Sequence, residues 1–491
     1  MVLAAAAQPV APAPATPSPT PPTPPAEKAT APDPAALEAV VSTIKTLSED
    51  PIVRTGMVGF YLAPLDRPAE PILKQNAGKS FITASTMKTL TTGAALEILG
   101  PDYQFETRLL FVPSTGDVVI QGSGDPSLGR PDWTGLFDTW TQSLTTAGIT
   151  EIRGRILADE SAWEDSPTPG GWSWTDIGNY YAPPLTPLCF RDNAFRLYFK
   201  TEGKPGAPAG FYDADPWPQS LEIQDRSRIG RPGTGDNVNV SGSAGTKRYI
   251  LRGTLAADSG KDYIRGALPD PALFCAQEFT DWLNARQVPV HGTATTTRRL
   301  EAAGSPPAFS AKTKKITLST HRSRPLREML ISINHRSLNL DCECLLRTLG
   351  KGSATAGLNA IRTHLSGKKL PLDGFDQADG SGLARSNMIT PELMARNMAS
   401  VISGPNGDDF LNSLPEIGAP GSTLRKIDST GPALIHAKSG TIERVKGYTG
   451  IIAPENGPRF CFAILINNYD GSYDEAISPR LDELFEAFSN L

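Results

Sequence analysis

The stretch FITASTMKTLTTGAALEILGP, residues 81 to 101, decides how the rest of the chain is interpreted. It starts with a few β-prone residues and continues with apolar residues at helical spacing, which predicts a helix with Ser85 and Lys88 in its opening turn. Residues three apart on a helix share a face, so the Lys88 amine can reach the Ser85 hydroxyl. Apolar surroundings lower the pKa of a lysine, and the resulting neutral amine can take a serine proton. The stretch therefore predicts an activated serine.

Ser-x-x-Lys is a weak pattern on its own, because the chain contains it three times. One further copy, Ser42 with Lys45, falls on a helix of exposed character near the N-terminus. Another, Ser366 with Lys369, precedes a predicted loop. Taken alone, even the Ser85 copy is compatible with a surface lysine on a core helix, so the interpretation depends on other motifs.

A second motif lies in SINHRSLNLDCECLLRTLG, residues 332 to 350, which contains two Ser-x-Asn triplets. Residues two apart in an extended segment or turn point the same way and can converge on one proton or one amide. We favour Ser337 and Asn339 over Ser332 and Asn334, because the former pair directly precedes the helix that would fix it.

A third motif is the Lys-Ser-Gly triplet of HAKSGTIERV, residues 436 to 445, at the start of a predicted strand. Lys438 could hold an anionic group and Ser439 could donate a hydrogen bond to it. Gly440 would let a ligand lie against the strand edge as an added strand. His436 is expected to be an ordinary strand residue.

The order of apolar patterns predicts an α/β (α+β) fold, with a β-rich insertion in a sheet covered by helices. Residues 1–35 form a proline-rich tail or linker that cannot pack into a core. Residues 36–107 and 308–491 form the helix-covered antiparallel sheet, and the residues between them form the insertion. Within the insertion, Asp270 and Pro271 are expected to be the N-cap and first-turn residues of a helix.

Composition excludes several classes of function. The 491 residues carry a formal net charge of −5 without a long basic run, so nucleic acid is not an expected partner. No window reaches the roughly 18 to 20 apolar residues of a transmembrane helix. The start MVLAAAAQPV lacks a complete export leader, and it fits either a cytoplasmic start or a mature terminus.

The spacing of the histidines, cysteines and serines also disfavours two kinds of site. Five histidines and five cysteines show no metal-ligand spacing, so no metal or cofactor is predicted, and most cysteines are expected to be small buried apolar residues. No serine has a Gly-x-Ser-x-Gly frame, which disfavours a Ser-His-Asp hydrolase.

As a set, the three motifs resemble those of penicillin-binding proteins and serine β-lactamases. The long separation of Ser85 from Ser337 is similar to the class C low-molecular-mass penicillin-binding proteins, the D-alanyl-D-alanine carboxypeptidase/endopeptidase family, which carry two extra domains between these motifs. GSGDPSL, GWSWTDIGNYYAPPLTPLCFRDN and DGSGLARSNMIT also resemble family segments. Two departures are Leu338, where the family usually has an acidic residue, and Ser439, where it often has threonine.

The resemblance runs from about residue 36 to the C-terminus and implies a serine β-lactamase/DD-peptidase-like transpeptidase domain. It also implies two inserted domains, domain II at residues 108–185 and 263–307, and a β-rich domain III at residues 186–262.

The same resemblance implies a mechanism. Ser85 would attack the carbonyl between two terminal D-alanines of a peptidoglycan stem peptide and form an acyl-enzyme, with Lys88 as its base. The implied roles of the other residues are a proton relay to the leaving amine (Ser337, Lys438), positioning of the substrate amide (Asn339), binding of the terminal carboxylate (Lys438, Ser439), an oxyanion hole of backbone N–H groups (Ser85, Thr441), and recognition of a diaminopimelate side chain (Ser381, Arg385, Asp176). Asp176 is also explained by a helix cap or turn.

Two alternatives stay open, a serine β-lactamase and a non-catalytic peptidoglycan-binding protein. The choice between carboxypeptidase and endopeptidase also stays open, because both cut the same kind of bond. β-Lactam antibiotics are expected to bind covalently. Because peptidoglycan lies outside the cytoplasmic membrane, a periplasmic or wall-associated location and an export leader upstream of about Ala4 are expected.

Overall fold

The computed structural model describes residues 34–218, 221–257, 263–305, 313–455, 457–471 and 477–491. Nearly all of the predicted tail, residues 1–35, lies outside these ranges. The α-helices are α1 (Pro34–Glu49), α2 (Lys88–Leu99), α3 (Trp133–Thr146), α4 (Pro271–Ala285), α5 (Thr297–Ala302), α6 (Leu326–Arg336), α7 (Asn339–Leu349), α8 (Ala354–Gly367), α9 (Pro391–Ile402), α10 (Gly407–Ser413) and α11 (Ser478–Ser489). Short 3₁₀ helices are Pro51–Val53, Ala84–Met87 and Arg191–Asn193.

The strands are β1 (Met57–Pro64), β2 (Leu73–Gln75), β3 (Phe81–Ile82), β4 (Glu106–Val112), β5 (Asp117–Gln121), β6 (Ile156–Asp159), β7 (Ala194–Phe199), β8 (Phe211–Asp215), β9 (Glu222–Gly230), β10 (Asn239–Ser241), β11 (Arg248–Ala256), β12 (Tyr263–Ala267), β13 (Thr295–Thr296), β14 (Ile316–Arg322), β15 (Met388–Ile389), β16 (Leu434–Ile442), β17 (Val445–Ala453) and β18 (Phe460–Asn467).

A five-stranded antiparallel sheet in the order β16-β17-β18-β1-β2 forms the centre of one half of the molecule. Every residue of β18, FCFAILIN, is buried, because helices cover both faces of the sheet. One hydrophobic cluster fills the space between the sheet and the helices α2 and α6 to α10. A second cluster lies under α1 and α11. The predicted antiparallel sheet covered by helices is confirmed.

The N-terminal helix shows why the sheet is closed on its second face. In α1, Val40, Ile44 and Leu47 follow one another at spacings of four and three residues and are all buried. Full burial of each such side chain is worth about 1.5–3 kcal/mol. Together with Phe488 of α11, they pack on the apolar outer face of the sheet.

The inserted region contains a mixed sheet in the order β13-β6-β5-β4-β14. Strands β4 and β5 form an antiparallel hairpin around the Pro-Ser-Thr-Gly turn, as the sequence predicts. The N-terminus of α4 also agrees with prediction, since the Asp270 side chain accepts a hydrogen bond from the Leu273 N–H at 3.1 Å and Pro271 opens the helix. The region also holds two three-stranded sheets, β10-β11-β9 and β12-β7-β8.

The pairing of β14 with β4 bears on the predicted boundary at residue 308. Because β14 is an edge strand of the inserted sheet, we propose that the insertion ends near Arg322. Similarly, β12 pairs with β7, so we propose that the β-rich unit predicted for residues 186–262 extends to about Ala267. One cluster of buried apolar residues joins all three inserted sheets.

An irregular segment between β6 and β7 connects the insertion to the covered sheet. Its buried residues Trp163, Trp172 and Cys189 pack against Leu340 and Cys344 at the α7 side of the molecule. All five cysteines are buried and free, as predicted for most of them. This segment therefore forms a wall against the start of α7.

No helix within the described ranges combines the length and the apolar character needed to cross a bilayer.

Candidate active site

Ser85 lies in the 3₁₀ turn Ala84–Met87, immediately before α2. The preceding residue, Ala84, has φ = 46°, a left-handed conformation that is uncommon outside glycine. Two backbone segments press against this turn. A Cβ on Gly382 would lie 1.9 Å from the Ala84 carbonyl oxygen, and one on Gly440 would lie 2.9 Å from the Ser85 nitrogen. The turn is thus held from two sides by segments that only glycine permits.

The structure gives a different reason for a glycine at position 440 from the one that the sequence predicts. The sequence suggests that this glycine makes room for a ligand along β16. In the structure it lets β16 approach the backbone of the Ser85 turn, because a Cβ there would also lie 2.7 Å from the Thr83 carbonyl oxygen.

Lys88, the first residue of α2, is completely buried and lies beside Ser85. Its Nζ is 2.9 Å from Ser85 Oγ, 2.6 Å from Asn339 Oδ1 and 2.6 Å from the Ser381 carbonyl oxygen. The last two atoms can only accept hydrogen bonds. A neutral amine would donate its two N–H groups to these two acceptors, which leaves its lone pair to accept the proton of the Ser85 hydroxyl.

Burial lowers the pKa of Lys88 by disfavouring its charged form. The nearby groups Cys342, Asp379 and Glu343 oppose this shift without reversing it. A lysine that loses its proton more readily than usual is suited to act as a base at moderate pH.

Ser337 and Asn339 come together with the first motif, and each contacts one lysine. Ser337 ends α6 in a left-handed conformation with φ = 58°, and Asn339 opens α7. The Ser337 Oγ accepts a hydrogen bond from Lys438 Nζ at 3.0 Å. The Asn339 Nδ2 donates to the Tyr181 carbonyl oxygen at 2.8 Å, which fixes its Oδ1 toward Lys88.

The alternative triplet lies elsewhere. Ser332 is on the exposed side of α6, and Asn334 is buried with its Nδ2 donating to Ser413 Oγ at 2.8 Å. The two other Ser-x-x-Lys pairs are exposed on the surface, Ser42 and Lys45 on α1, and Ser366 and Lys369 at the end of α8.

Lys438 on β16 is also completely buried, and its Nζ donates to the Ser439 carbonyl oxygen at 2.7 Å as well as to Ser337. Burial lowers its pKa well below the usual lysine value, and the positive charge of Lys88 adds to the effect. Ser439 is nearly buried and donates to Thr423 Oγ1 at 2.8 Å. The predicted strand position of His436 is confirmed.

These residues border a cleft of about 740 Å³. Of the predicted site residues, Ser85, Asp176, Ser337, Asn339, Arg385, Ser439 and Thr441 line it. Lys88, Lys438 and Gly440 are buried directly behind this lining. The three sequence motifs thus meet at one place.

At one end of the cleft, Arg385 and Asp176 have partners from different parts of the chain. Arg385 donates to the Glu443 carbonyl oxygen at 3.1 Å and lies 3.2 Å from its carboxylate. Asp176 accepts a hydrogen bond from Tyr181 Oη at 3.1 Å, and partial burial raises its pKa. Asp176 also lies in a turn, as the alternative interpretation expects.

Ser381 is placed differently from its predicted role in substrate recognition. It is completely buried and is absent from the lining of the cleft. Its carbonyl oxygen binds Lys88, and its N–H donates to Glu343 Oε1 at 3.0 Å. The reason is the tight loop around it, which Asp379 holds by accepting hydrogen bonds from Gly382 N and Trp172 Nε1.

Glu343 is a site residue that sequence reasoning misses. It lies on α7 beneath Lys88 and is buried, and burial raises its pKa to about 7. Its Oε1 accepts the N–H groups of Gly380 and Ser381, and its Oε2 lies 3.3 Å from Arg347. The sequence gives little signal, because Glu343 with Arg347 four residues later looks like an exposed helical ion pair. Within the described ranges, no group of acidic, histidine or cysteine side chains has the geometry of a metal site.

Comparison with known proteins gives a consistent result. A family model described as the D-Ala-D-Ala carboxypeptidase 3 (S13) family matches residues 40–487. The chain is 25% identical over 475 residues to the D-alanyl-D-alanine carboxypeptidase of Actinomadura sp. (strain R39), covering 91% of this chain and 85% of the relative. It is 22% identical over 440 residues to the D-alanyl-D-alanine carboxypeptidase DacB of Haemophilus influenzae, covering 86% and 88%.

The crystal structure of penicillin binding protein 4 (dacB) from Haemophilus influenzae has the same fold. It matches with a TM-score of 0.74 and 21% identity, covering 92% of this chain and 97% of that one. The predicted resemblance is confirmed by the family model, which spans most of the chain. The chain belongs to the D-Ala-D-Ala carboxypeptidase 3 (S13) family and is a serine-type D-alanyl-D-alanine carboxypeptidase.

Proposed function

We propose that Ser85 is the nucleophile of this carboxypeptidase and that Lys88 is its general base. The observation that carries the proposal is the 2.9 Å separation of Lys88 Nζ from Ser85 Oγ in a buried environment. Asn339 and the Ser381 carbonyl occupy the amine's other hydrogen-bonding positions. General-base assistance of this kind is worth about 10²- to 10⁴-fold in rate.

In the first step, Ser85 Oγ attacks the carbonyl between two D-alanines, and its proton moves to Lys88. The carbonyl oxygen becomes an oxyanion, which the backbone N–H groups of Ser85 and Thr441 would stabilise by about 10²- to 10³-fold per donor. The approach of β16 to the Ser85 turn through Gly440 supports this pairing of donors.

In the second step, the tetrahedral intermediate collapses and expels D-alanine. Its amine needs a proton, and the contact of Ser337 Oγ with Lys438 Nζ at 3.0 Å supports a relay along these two groups. Asn339 would hold the substrate amide. Lys438 with Ser439 would hold the terminal carboxylate, and Thr423, bonded to Ser439, would orient that hydroxyl. Water then cleaves the acyl ester of Ser85.

We infer that the substrate is the stem peptide of peptidoglycan, which places the enzyme in the periplasm or at the cell wall. A diaminopimelate side chain carries one ammonium and one carboxylate group. Asp176 and Arg385 both line the cleft, close enough for their charges to interact, and would offer the two opposite charges once the ligand carboxylate replaces Glu443 at Arg385. The buried position of Ser381 favours support of Lys88 over contact with this side chain.

The proposal also covers β-lactam antibiotics, whose strained carbonyl would acylate Ser85 in the same way.

Digestion of purified pentapeptide muropeptides, followed by mass spectrometry, tests the assignment of Ser85 as the nucleophile. Wild-type protein should remove one terminal D-alanine, and Ser85→Ala should remove none. Release of D-alanine by Ser85→Ala at the wild-type rate would refute the role of Ser85. Cleavage of cross-linked dimers in the same digest would show endopeptidase activity.

A further inference from the structure

A second groove of about 500 Å³ lies next to the active-site cleft. The two hollows share a wall that consists of Tyr180, Tyr181, Arg336, Ser337 and Asn339. The opposite wall belongs to the inserted sheet β12-β7-β8. A substrate that extends over the shared wall would therefore enter this groove.

We call this second hollow the arginine groove, because five arginines line it: Arg130, Arg191, Arg196, Arg265 and Arg336. Three aspartates line it too, and each forms an ion pair with Arg130 or Arg191. Arg130 forms ion pairs with Asp192 and, at 3.1 Å, with Asp341. Arg191 lies 2.6 Å from Asp215. The groove thus keeps an excess of positive charge.

The other three arginines account for that excess. Arg196 is half exposed and reaches Asp215 only at 3.8 Å. In the part of the chain that the structure describes, neither Arg265 nor Arg336 has a carboxylate within ion-pair distance. Both guanidinium groups are therefore available to an external anion.

The strand register adds a second argument. Arg265 of β12 and Arg196 of β7 are direct partners across the antiparallel pair. Like charges in this position destabilise a sheet, and a bound anion would offset the repulsion. Arg265 is also held in place, since its guanidinium carbon lies 3.4 Å from the ring centre of Tyr180 in the shared wall. The cation is thus positioned where the cleft meets the groove.

We propose that the arginine groove is a second substrate subsite, in which Arg265 and Arg336 bind a carboxylate outside the dipeptide that is cut. The planar guanidinium suits a carboxylate, because it can donate two parallel hydrogen bonds. This proposal rests on the proposed function, since a stem peptide carries such carboxylates. They occur on the acyl side of the scissile bond and on the second strand of a cross-link, and both sources share one chemistry.

Three substrates separate these sources. The first is an N-acylated tripeptide that ends in D-Ala-D-Ala and has no further carboxylate. The second is the monomeric stem pentapeptide, and the third is the cross-linked dimer. Arg265→Gln should raise KM for carboxylate-bearing substrates by about fivefold, the range of a partly exposed ion pair. It should leave the tripeptide kinetics and penicillin acylation unchanged, which also shows that the variant folds.

Arg252→Gln is the matched control, because Arg252 is an exposed strand arginine on the other three-stranded sheet. It should behave as wild type on all substrates. An effect of Arg265→Gln on the pentapeptide assigns the carboxylate to the acyl side, and an effect on the dimer alone assigns it to the second strand. If Arg265→Gln and wild type have equal KM values on the pentapeptide and on the dimer, the subsite proposal is wrong. It is also wrong if Arg265→Gln raises KM for the tripeptide as much as for the carboxylate-bearing substrates.

Binding to Ser85→Ala, measured by calorimetry, keeps this test separate from catalysis. The cross-linked dimer with free carboxylates should bind about fivefold more tightly than the same dimer with its side carboxylates amidated. Adding Arg265→Gln should reduce the difference, and any difference that remains belongs to the diaminopimelate carboxylate that we propose binds Arg385. If wild type fails to release D-alanine from the tripeptide, the proposed function fails, whereas equal affinity for the free and amidated dimers overturns the arginine groove.

Discussion

Lys88 Nζ donates a hydrogen bond to Asn339 Oδ1 at 2.6 Å, which joins two side chains 251 positions apart in the sequence. The contact closes the buried pocket of Lys88 from the side of α7. Because Asn339 is neutral, it accepts a hydrogen bond from the amine without adding a negative charge that would stabilise the ammonium form.

Asn339→Asp should therefore move the pH dependence of acylation upward. A carboxylate at this distance favours the charged lysine and raises its pKa, by about 1 to 3 units. Since only the neutral amine can act as a base, the rise of the acylation rate should occur at higher pH. The second-order rate of penicillin acylation, measured between pH 5 and 10, gives the midpoint. Asn339→Ala is the control, which should slow acylation without this upward shift, and an unchanged midpoint in Asn339→Asp would contradict the base role of Lys88.

Gly440→Ala should damage the active site through the backbone. The new Cβ would lie 2.7 Å from the Thr83 carbonyl oxygen and 2.9 Å from the Ser85 nitrogen, so β16 must move away from the Ser85 turn. A displacement near 1 Å at a reacting centre costs about 10²-fold in rate. Acylation kinetics and a melting curve measure the effect. The control is Gly78→Ala, where no atom lies within 4 Å of the added Cβ and no loss is expected. Wild-type acylation by Gly440→Ala would show that this contact is not needed.

Glu343 should make folding stability fall as the pH rises. Burial, with the charge of Asp379, raises its pKa from 4.5 to about 7 despite the opposing charge of Arg347. Between these two pH values the folded protein keeps a proton that the unfolded chain has lost, so the free energy of unfolding decreases with increasing pH. At 1.36 kcal/mol per pKa unit, the loss approaches about 3 kcal/mol.

Glu343→Gln removes this titration and keeps an uncharged acceptor for the N–H groups of Gly380 and Ser381. The free energy of unfolding of Glu343→Gln minus that of wild type should therefore increase from pH 4.5 to pH 8, because only wild type loses stability in this range. Urea unfolding at several pH values measures the difference. Glu97→Gln should show the opposite trend, and only below about pH 4.5, because burial is outweighed by hydrogen bonds from His364 and Lys368, which lower the pKa of Glu97. A pH-independent difference between Glu343→Gln and wild type would refute the raised pKa.

The cysteines should resist modification in the folded protein. All five are buried, and burial raises the pKa of Cys342 and of Cys461 to about 12. The thiolate is the reactive form, so an aromatic disulfide reagent at pH 8 should label none of them. In denaturant the same reagent should label all five. Rapid labelling of a thiol in the native protein would show that its burial is incomplete.

Sequence patterns predicted the three motifs because each depends on short-range spacing. Ser85 and Lys88 are three residues apart on a helical turn, and Ser337 and Asn339 flank the start of α7. The later end that we propose for the insertion could not be predicted, since the pairing of β14 with β4 depends on a partner more than two hundred residues away. Periodicity identifies a strand and does not name its neighbour.

The roles of Ser381, Glu343 and Gly440 needed the folded structure for a related reason. A loop sequence does not determine which atoms of Ser381 face Lys88, and here the backbone carbonyl makes that contact. Glu343 looks like a surface residue of a helix until the loop at residues 379–387 packs over it. The tight contact of Gly440 lies between segments more than three hundred residues apart.

The most direct test of the account is the stoichiometry and position of acylation by a labelled penicillin. Wild-type protein should take up one acyl group per chain, because the lactam carbonyl replaces the scissile amide at Ser85. Ser42→Ala and Ser366→Ala, the exposed serines of the other two Ser-x-x-Lys pairs, should label like wild type, and Ser85→Ala should not label. Label that persists in Ser85→Ala, or that maps to a peptide without residue 85, would contradict the assignment of the nucleophile and the mechanism built on it.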